Sequence, residues 1–397
     1  MLNIPPHIAS ILRLLENNGY AAYLVGGCVR DVYMNRTPHD WDIATSAQTD
    51  AVSSLFEKTV MTGENYGTVT VITHGGKAEV TTFRADGSYR DGRHPENVEY
   101  VSSIITDLGR RDFTCNAMAV SMTGTLTDPF NGLTDIKNRV LRCVGSPDVR
   151  FSEDSLRMLR AFRFSAELGF EIEPDTAAAI LRQADRVSLI SAERIRDELG
   201  KTLLSPRPEI VTDMIDTGLI DAFVFHAQTL NLTHLSSLCV DATLRWCAFC
   251  VALTEAGAIS DAGTFLKKLR LDNKTVKTCS VVTEISGSGF PVDRAEIKRL
   301  LSKNNILTVR CAAAICDAQC GGALLKTVDE IVDSGECFSI DSLAVRGGDL
   351  LEQGHKQGKA IGETLNQLLE HVIDNPPDNS RELLLSRTFN KSSKNLR

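Results

Sequence analysis

The sequence predicts an α+β N-terminal part, a small mixed sheet with helices, followed by a remainder that is helical throughout. Three observations predict it. Two β-branched runs, residues 68–72 and 78–83, flank His74-Gly75-Gly76 like the arms of a hairpin. Near residue 140 the texture changes from strand-like alternation to helical periodicity. Beyond residue 170 no alternation of period two is sustained.

In chain order, residues 5–18 read as an amphipathic helix, with proline in the first turn, a stripe of Ile8, Ile11, Leu12 and Leu15, and Gly19 as its stop. Tyr20 to Val25 is a short apolar strand running into Gly26-Gly27. A glycine pair after a strand leaves backbone N–H groups bare, so a phosphate can approach. Arg30 follows, and the stretch closes on Asp40-Trp41-Asp42. If residues 41–44 form a strand, Asp40 and Asp42 share a face. Two like charges there repel each other unless Mg²⁺ sits between them, since that ion takes one or two carboxylates plus substrate phosphates. The competing reading is a solvated turn at Pro38 with both aspartates exposed. The glycine pair, Arg30 and the two aspartates together favour the metal. A helix over 48–58 follows. On the second hairpin strand, Glu79 is either a third acidic ligand or an exposed strand glutamate. Residues 84–97, polar with two glycines and a proline, read as a mobile loop. In GRRDFTCNAMAV, residues 109–120, the adjacent cations Arg110 and Arg111 suit a polyphosphate.

Residues 151–164 read as one helix with Ser152 as N-cap and Glu153 and Asp154 in the first turn. Arg157, Arg160 and Arg163 recur every three residues and line one face, where only Asp154 opposes them. That excess of positive charge asks for an anion. Leu156, Leu159, Phe162 and Phe164 are left to pack. Helices over 174–185 and 191–204 follow, then several more to about 388, with Pro206-Arg207-Pro208 as a hinge. Cys247 and Cys250 have metal-ligand spacing, but no second pair follows them and they read as part of a buried helix.

Composition bounds the rest. At 397 residues the chain should hold two or three domains. Hydrophobic content of 43% and charged content of 24% fit an ordinary globular protein, and no apolar run approaches a membrane span. The N-terminus lacks the features of a signal peptide. Eleven irregularly spaced cysteines argue against a disulfide framework and for a reducing cytoplasm. A net charge of −8 excludes a broadly basic nucleic-acid binder, so any such site must be a local patch.

The stretches LVGGCVRD with HDWDIATSA, GRRDFTCNAMA, DPFNGLTDI with RFSEDSLRMLRAFRF, and ERIRDELGKTLL stand in order over residues 24 to about 204. Together they resemble the motifs of the class II tRNA nucleotidyltransferase family, which holds CCA-adding enzymes and bacterial poly(A) polymerases. LAVRGGDLLEQGHKQGKAIGETLNQLLE resembles that family's C-terminal region. The resemblance implies a catalytic nucleotidyltransferase head over 1–140, a base-recognising helical neck over 141–205, a helical body over 206–325 and a tRNA-binding helical tail over 326–397. It makes Asp40 and Asp42 the ligands of Mg²⁺ and places Gly27, Arg30 and Arg111 at the triphosphate. Asp154 and Arg157 match the element that reads the incoming base, and Arg160 and Arg163 match further nucleotide-contacting positions. A carboxylate accepts from an exocyclic amino group while a guanidinium donates to the adjacent ring acceptor, so this pair suits cytosine and adenine; uracil and guanine present a carbonyl instead.

The activity implied is template-independent addition of C, C and A to the 3′ end of tRNA from CTP and ATP, releasing pyrophosphate. TGENYGTVTV resembles the CCA-adding branch, and the intact loop 84–97 differs from the shortened loop of CC-adding enzymes. Asn65-Tyr66 stands where CCA-adding relatives usually carry His. Two alternatives stand beside this reading. One is an A-adding, CC-adding or poly(A)-making member of the same family. The other is a catalytically silent nucleotide- or RNA-binding module, which has little reason to keep Asp40 and Asp42.

Overall fold

The computed structural model describes residues 4–63, 67–87, 98–225 and 230–392. The chain divides into two compact units, Met1–His226 and Ala227–Arg397. This division is coarser than the four expected segments, and the Pro206–Pro208 hinge candidate lies inside the first unit.

In the first unit, helix α1 (Pro6–Asn17) buries the expected stripe of Ile8, Ile11, Leu12 and Leu15. Strand β1 (Ala22–Val25) leads into α2 (Gly27–Tyr33), a short helix that the sequence reading left unassigned. Strand β2 (Asp42–Thr45) begins one residue later than expected, and α3 (Thr49–Leu55) is shorter than 48–58. Next come β3 (Thr59–Gly63), β4 (Thr68–Thr73) and β5 (Gly76–Thr82), and β4 with β5 is the expected hairpin. After β5 the chain continues through β6 (Arg84–Asp86), β7 (Val98–Tyr100), α4 (Ile104–Gly109), β8 (Ala119–Ser121) and β9 (Leu126–Thr127).

Seven strands make one mixed sheet in the order β3-β4-β5-β2-β1-β8-β9. β2 runs antiparallel to β1 and parallel to β5, which sets Asp42 opposite Glu79. The first residues of the expected loop 84–97 are instead a strand, since β6 pairs with β7 as a two-stranded ribbon. The middle of that loop, residues 88–97, and Asn65-Tyr66 lie outside the described residues. Val25, Ala44, Phe83, Leu108, Ala117, Ala119 and Val144 form a common core that fixes the strand ends against α4.

Helix α5 (Gly132–Asn138) presses on the turn that carries the RRDFTCNA run: a Cβ on Gly132 would lie 2.2 Å from the Thr114 carbonyl oxygen, so only glycine fits. β10 (Val140–Leu141) and α6 (Pro147–Glu153) follow, then α7 (Leu156–Leu168). The helix expected over 151–164 is therefore two helices, broken at Asp154-Ser155. Ser152 is exposed and donates its hydroxyl to the Val149 carbonyl at 2.7 Å, so it caps nothing. Asp154, extended at φ −138° and ψ 103°, accepts the Leu156 N–H at 3.1 Å. A short carboxylate that captures a nearby N–H offers the backbone an alternative to helix, which is the physical cause of the break. β11 (Glu171–Ile172), α8 (Pro174–Gln183), α9 (Ala192–Leu203) and α10 (Val211–Asp216) complete this unit's regular elements.

The second unit is helical: α11 (Ala242–Glu255), α12 (Ala262–Lys268), α13 (Asn273–Ser288), α14 (Arg294–Lys303), α15 (Ile306–Cys320), α16 (Leu324–Asp333), α17 (Gly347–Glu352), α18 (Lys359–Asp374) and α19 (Arg381–Ser392). Cys247 and Cys250 are buried on α11 as expected, and Cys247 Sγ lies 3.4 Å from Cys279 Sγ of α13. All eleven thiols are free. No helix of the described residues is long and apolar enough to cross a membrane.

Candidate active site

A cleft of about 490 Å³ in the first unit gathers residues from four places in the chain. Gly26, Gly27, Arg30 and Asp31 come from the end of β1 and from α2. Asp40 and Asp42 come from the entry to β2. Arg110, Arg111, Asp112 and Asn116 follow α4, and Asp154, Arg157, Arg160 and Phe164 belong to the helix break and α7.

The glycine pair works differently from a bare phosphate cradle. The Gly26 N–H donates to the Met118 carbonyl at 3.3 Å. Gly26 has φ +74°, a conformation that favours glycine, and a Cβ there would meet Arg111 Nη1 at 3.0 Å and Asp42 Oδ2 at 3.8 Å. The missing side chain thus lets a guanidinium and a carboxylate converge at the end of β1.

Asp40 does not lie on the strand, so period-two alternation is not what brings the two aspartates together; it sits exposed at the bend before β2, and both line the cleft. The Asp42 carboxyl is pushed up to about 6, first by burial and then by the negative charges of Glu79 and Asp40, with Arg111 opposing. A half-buried carboxylate crowded by two others fits a cation. Glu79 is exposed and is not part of the cleft wall, and among the described residues no three His, Cys, Asp or Glu side chains enclose a common metal position.

Every arginine of the cleft has a protein partner. Arg30 donates to Asn116 Oδ1 at 2.7 Å and pairs with Asp31 at 2.8 Å. Arg111 pairs with Asp107 at 3.1 Å, while its Nε is buried without a hydrogen-bond partner. Arg157 donates to Glu153 at 2.7 Å and to the carbonyls of Arg150 and Arg110 at 3.1 and 2.9 Å. Arg160 grips Asp112 through two nitrogens at 3.0 and 2.6 Å, and holds that buried carboxyl down to about 2 although burial alone would raise it. Asp154 faces Arg194 of α9 at 3.2 Å rather than Arg157.

These pairings correct the expected excess of positive charge. Five arginines and five aspartates line the cleft, so it is formally neutral. The cleft therefore offers a polyanion no net positive charge of its own. Arg163 is not brought to the cleft at all: it is buried against Glu198 and Glu167 at 2.5 and 2.8 Å, with its guanidinium 3.9 Å from the centre of the Phe164 ring. A buried guanidinium needs such partners, and α7 and α9 provide them. Sequence reasoning missed Asp112, Asn116 and Phe164, although the first two stood in view inside RRDFTCNA. Arg30 and Arg160 also flank the Phe164 ring, at 5.4 and 5.1 Å from its centre.

Three family models match the chain: the Poly A polymerase head domain over residues 22–142, the RNA and SrmB-binding site of polymerase A over 169–227, and tRNA nucleotidyltransferase domain 2 over 239–387. The chain is 36% identical over 386 residues to the CCA-adding enzyme of Levilactobacillus brevis, covering 95% of each. It is 35% identical over 380 residues to the CCA-adding enzyme of Bacillus subtilis, covering 94% of each. Its structure is similar to that of the Bacillus stearothermophilus CCA-adding enzyme in complex with CTP, with a TM-score of 0.82 at 30% identity over 98% of this chain and 100% of that one. The Thermotoga maritima CCA-adding enzyme complexed with tRNA shares the fold, with a TM-score of 0.69 at 20% identity over 97% of this chain and 96% of that one.

Proposed function

This chain belongs to the tRNA nucleotidyltransferase and poly(A) polymerase family, and from that premise we propose that it adds C, C and A to the 3′ end of tRNA from CTP and ATP, releasing pyrophosphate at each step. The observation that carries the reading is that one formally neutral cleft holds Asp40 and Asp42 together with Arg111, Asp154 and Arg157.

Asp40 and Asp42 would hold Mg²⁺, which when bound lowers the pKa of the tRNA 3′-hydroxyl and offsets charge on the triphosphate and departing pyrophosphate. The upward-shifted Asp42 carboxyl supports this, because a cation relieves the crowding that raises it. Arg111 and Arg30 hold the triphosphate beside Gly27. The unpaired Arg111 Nε supports that role, since a buried donor without an acceptor is costly in the free protein. Asp154 accepts from the amino group of cytosine or adenine, and Arg157 donates to the neighbouring ring acceptor. Arg160 holds Asp112 and flanks Phe164, shaping the wall of the cleft. The helical tail over 326–397 binds the tRNA. The eleven free thiols suit a reducing cytoplasm.

The test offers tRNA ending at the discriminator base, at C and at CC, with CTP and ATP separately. Two cytidines on the first substrate and one adenosine on the last are expected. Adenosine alone, cytidine alone or a homopolymer of adenosine would assign the chain to a specialist or to the poly(A) branch.

A further inference from the structure

Behind the cleft lies a carboxylate that takes no part in its wall. Asp107, on α4, is 1% exposed. Its Oδ1 accepts from Arg110 Nε and Nη2 at 3.0 and 2.9 Å, and its Oδ2 accepts from Arg111 Nη2 at 3.1 Å. The same Oδ1 accepts the backbone N–H of Arg84 at 3.3 Å, and Arg84 is the first residue of β6. One buried side chain therefore touches both adjacent cations of the cleft and the stem of the β6–β7 ribbon. The opposite end of Arg111 reaches the corner where Gly26 and Asp42 meet.

We propose that Asp107 is a positioning residue for nucleotide binding: its carboxylate aims Arg111 at the Gly26–Asp42 corner and ties that arginine to the stem of the β6–β7 ribbon. The reasons are physical. Three N–H groups share Oδ1 and one reaches Oδ2, so this one carboxylate joins both guanidiniums and the Arg84 amide. Arg111 is held at Nη2, and its rigid planar guanidinium then carries Nη1 to the corner, which a flexible ammonium would not do. The two cations hold the Asp107 carboxyl below the usual carboxylate range although burial pushes it up, so it stays ionised and keeps its grip. At metal sites, changing an outer group that orients a ligand costs about 10–100-fold in affinity or activity, and the same logic applies to a guanidinium aimed at an anion. This inference rests on the reading of Arg111 as a triphosphate contact.

The experiment compares Asp107→Asn, Arg111→Ala and the double variant, each checked for folding by circular dichroism. KM and kcat are measured for CTP and ATP on the matching tRNA ends. Each single variant is expected to raise KM for both nucleotides about tenfold with a smaller change in kcat, and the double variant should be no worse than Arg111→Ala. Multiplying effects in the double variant would mean that Asp107 acts independently of Arg111 and would overturn the proposal alone. A wild-type KM in Arg111→Ala would overturn the triphosphate reading and this proposal with it. A measurement on the unmodified protein covers the case where Asp107→Asn does not fold. Hydrogen exchange at the Arg84 amide should slow when CTP is added, and an unchanged rate would overturn the tie between cleft and ribbon.

Discussion

Asp42 and Glu79 stand opposite each other on the parallel strands β2 and β5, and the charge of Glu79 contributes to raising the Asp42 carboxyl to about 6. The pair separates two roles that the sequence could not tell apart. Asp42 opens into the cleft with Asp40, whereas Glu79 stays exposed outside it.

Asp40→Ala and Asp42→Ala should each abolish incorporation of both CMP and AMP while leaving tRNA affinity nearly intact. Glu79→Gln should instead retain activity at saturating Mg²⁺ and require more Mg²⁺ to reach half-maximal rate, because one like charge beside Asp42 is gone. Titrating Mg²⁺ in a primer-extension assay checks all three, and near-normal turnover in either aspartate variant would remove the assignment.

Arg157→Ala should relax the preference for CTP over UTP. A lost charged hydrogen bond to the base costs about 1.5–3 kcal/mol, a factor of roughly ten to more than a hundred in kcat/KM discrimination. An unchanged CTP/UTP ratio would place base selection elsewhere.

Arg163→Ala should act on stability instead. It removes a guanidinium that faces Glu198, a carboxylate only 4% exposed. Breaking a buried pair from one side costs about 3 kcal/mol. The expected result is a lower melting temperature with KM values close to wild type, and a rise in KM without loss of stability would return Arg163 to the nucleotide.

The Asp112–Arg160 pair sets an acid limit. The folded carboxyl sits at about 2, below its ordinary value of 3.8, so the stabilisation is present above pH 4 and is lost as pH falls through 2. The shift corresponds to roughly 2 kcal/mol. Urea denaturation at pH 5 and pH 2.5 should show Asp112→Asn less stable than wild type at the higher pH, with the gap shrinking at the lower one.

Thiol labelling should divide the cysteines by burial. Cys239 and Cys320 are exposed and should react rapidly with an aromatic disulfide reagent, while buried Cys28, Cys115, Cys143, Cys247, Cys250, Cys279 and Cys311 react only on unfolding. A reductant-dependent change in melting temperature would contradict the absence of disulfides.

Much of the fold was legible because it rests on local patterns. The α1 stripe and the β4–β5 hairpin declare themselves in hydrophobic spacing, and both are found where expected. The helix break at Asp154 was not legible. Residues 151–164 carry continuous helical periodicity, and the break depends on one carboxylate capturing the Leu156 N–H. The pairing of the arginines was hidden for a different reason. Arg160 finds Asp112 from 48 residues away and Arg163 finds Glu198 from 35 residues away, so counting same-face neighbours on one helix missed their partners. Strand β3 was missed because it is short and its Val60 and Met61 are exposed, which erases the usual alternation.

The order of the strands also decides when the cleft can exist. The hairpin of β4 and β5 forms from neighbours in sequence, yet it supplies no residue to the cleft wall. Gly26 and Asp42 come together when β1 meets β2, and Arg111 to Asn116 reach them only when Val25 pairs with Ala119. Contacts between distant parts of a chain are slow because the intervening loop must close before they form. The carboxylates of Asp40 and Asp42 and the guanidinium of Arg111 therefore meet only once β8 has joined the sheet.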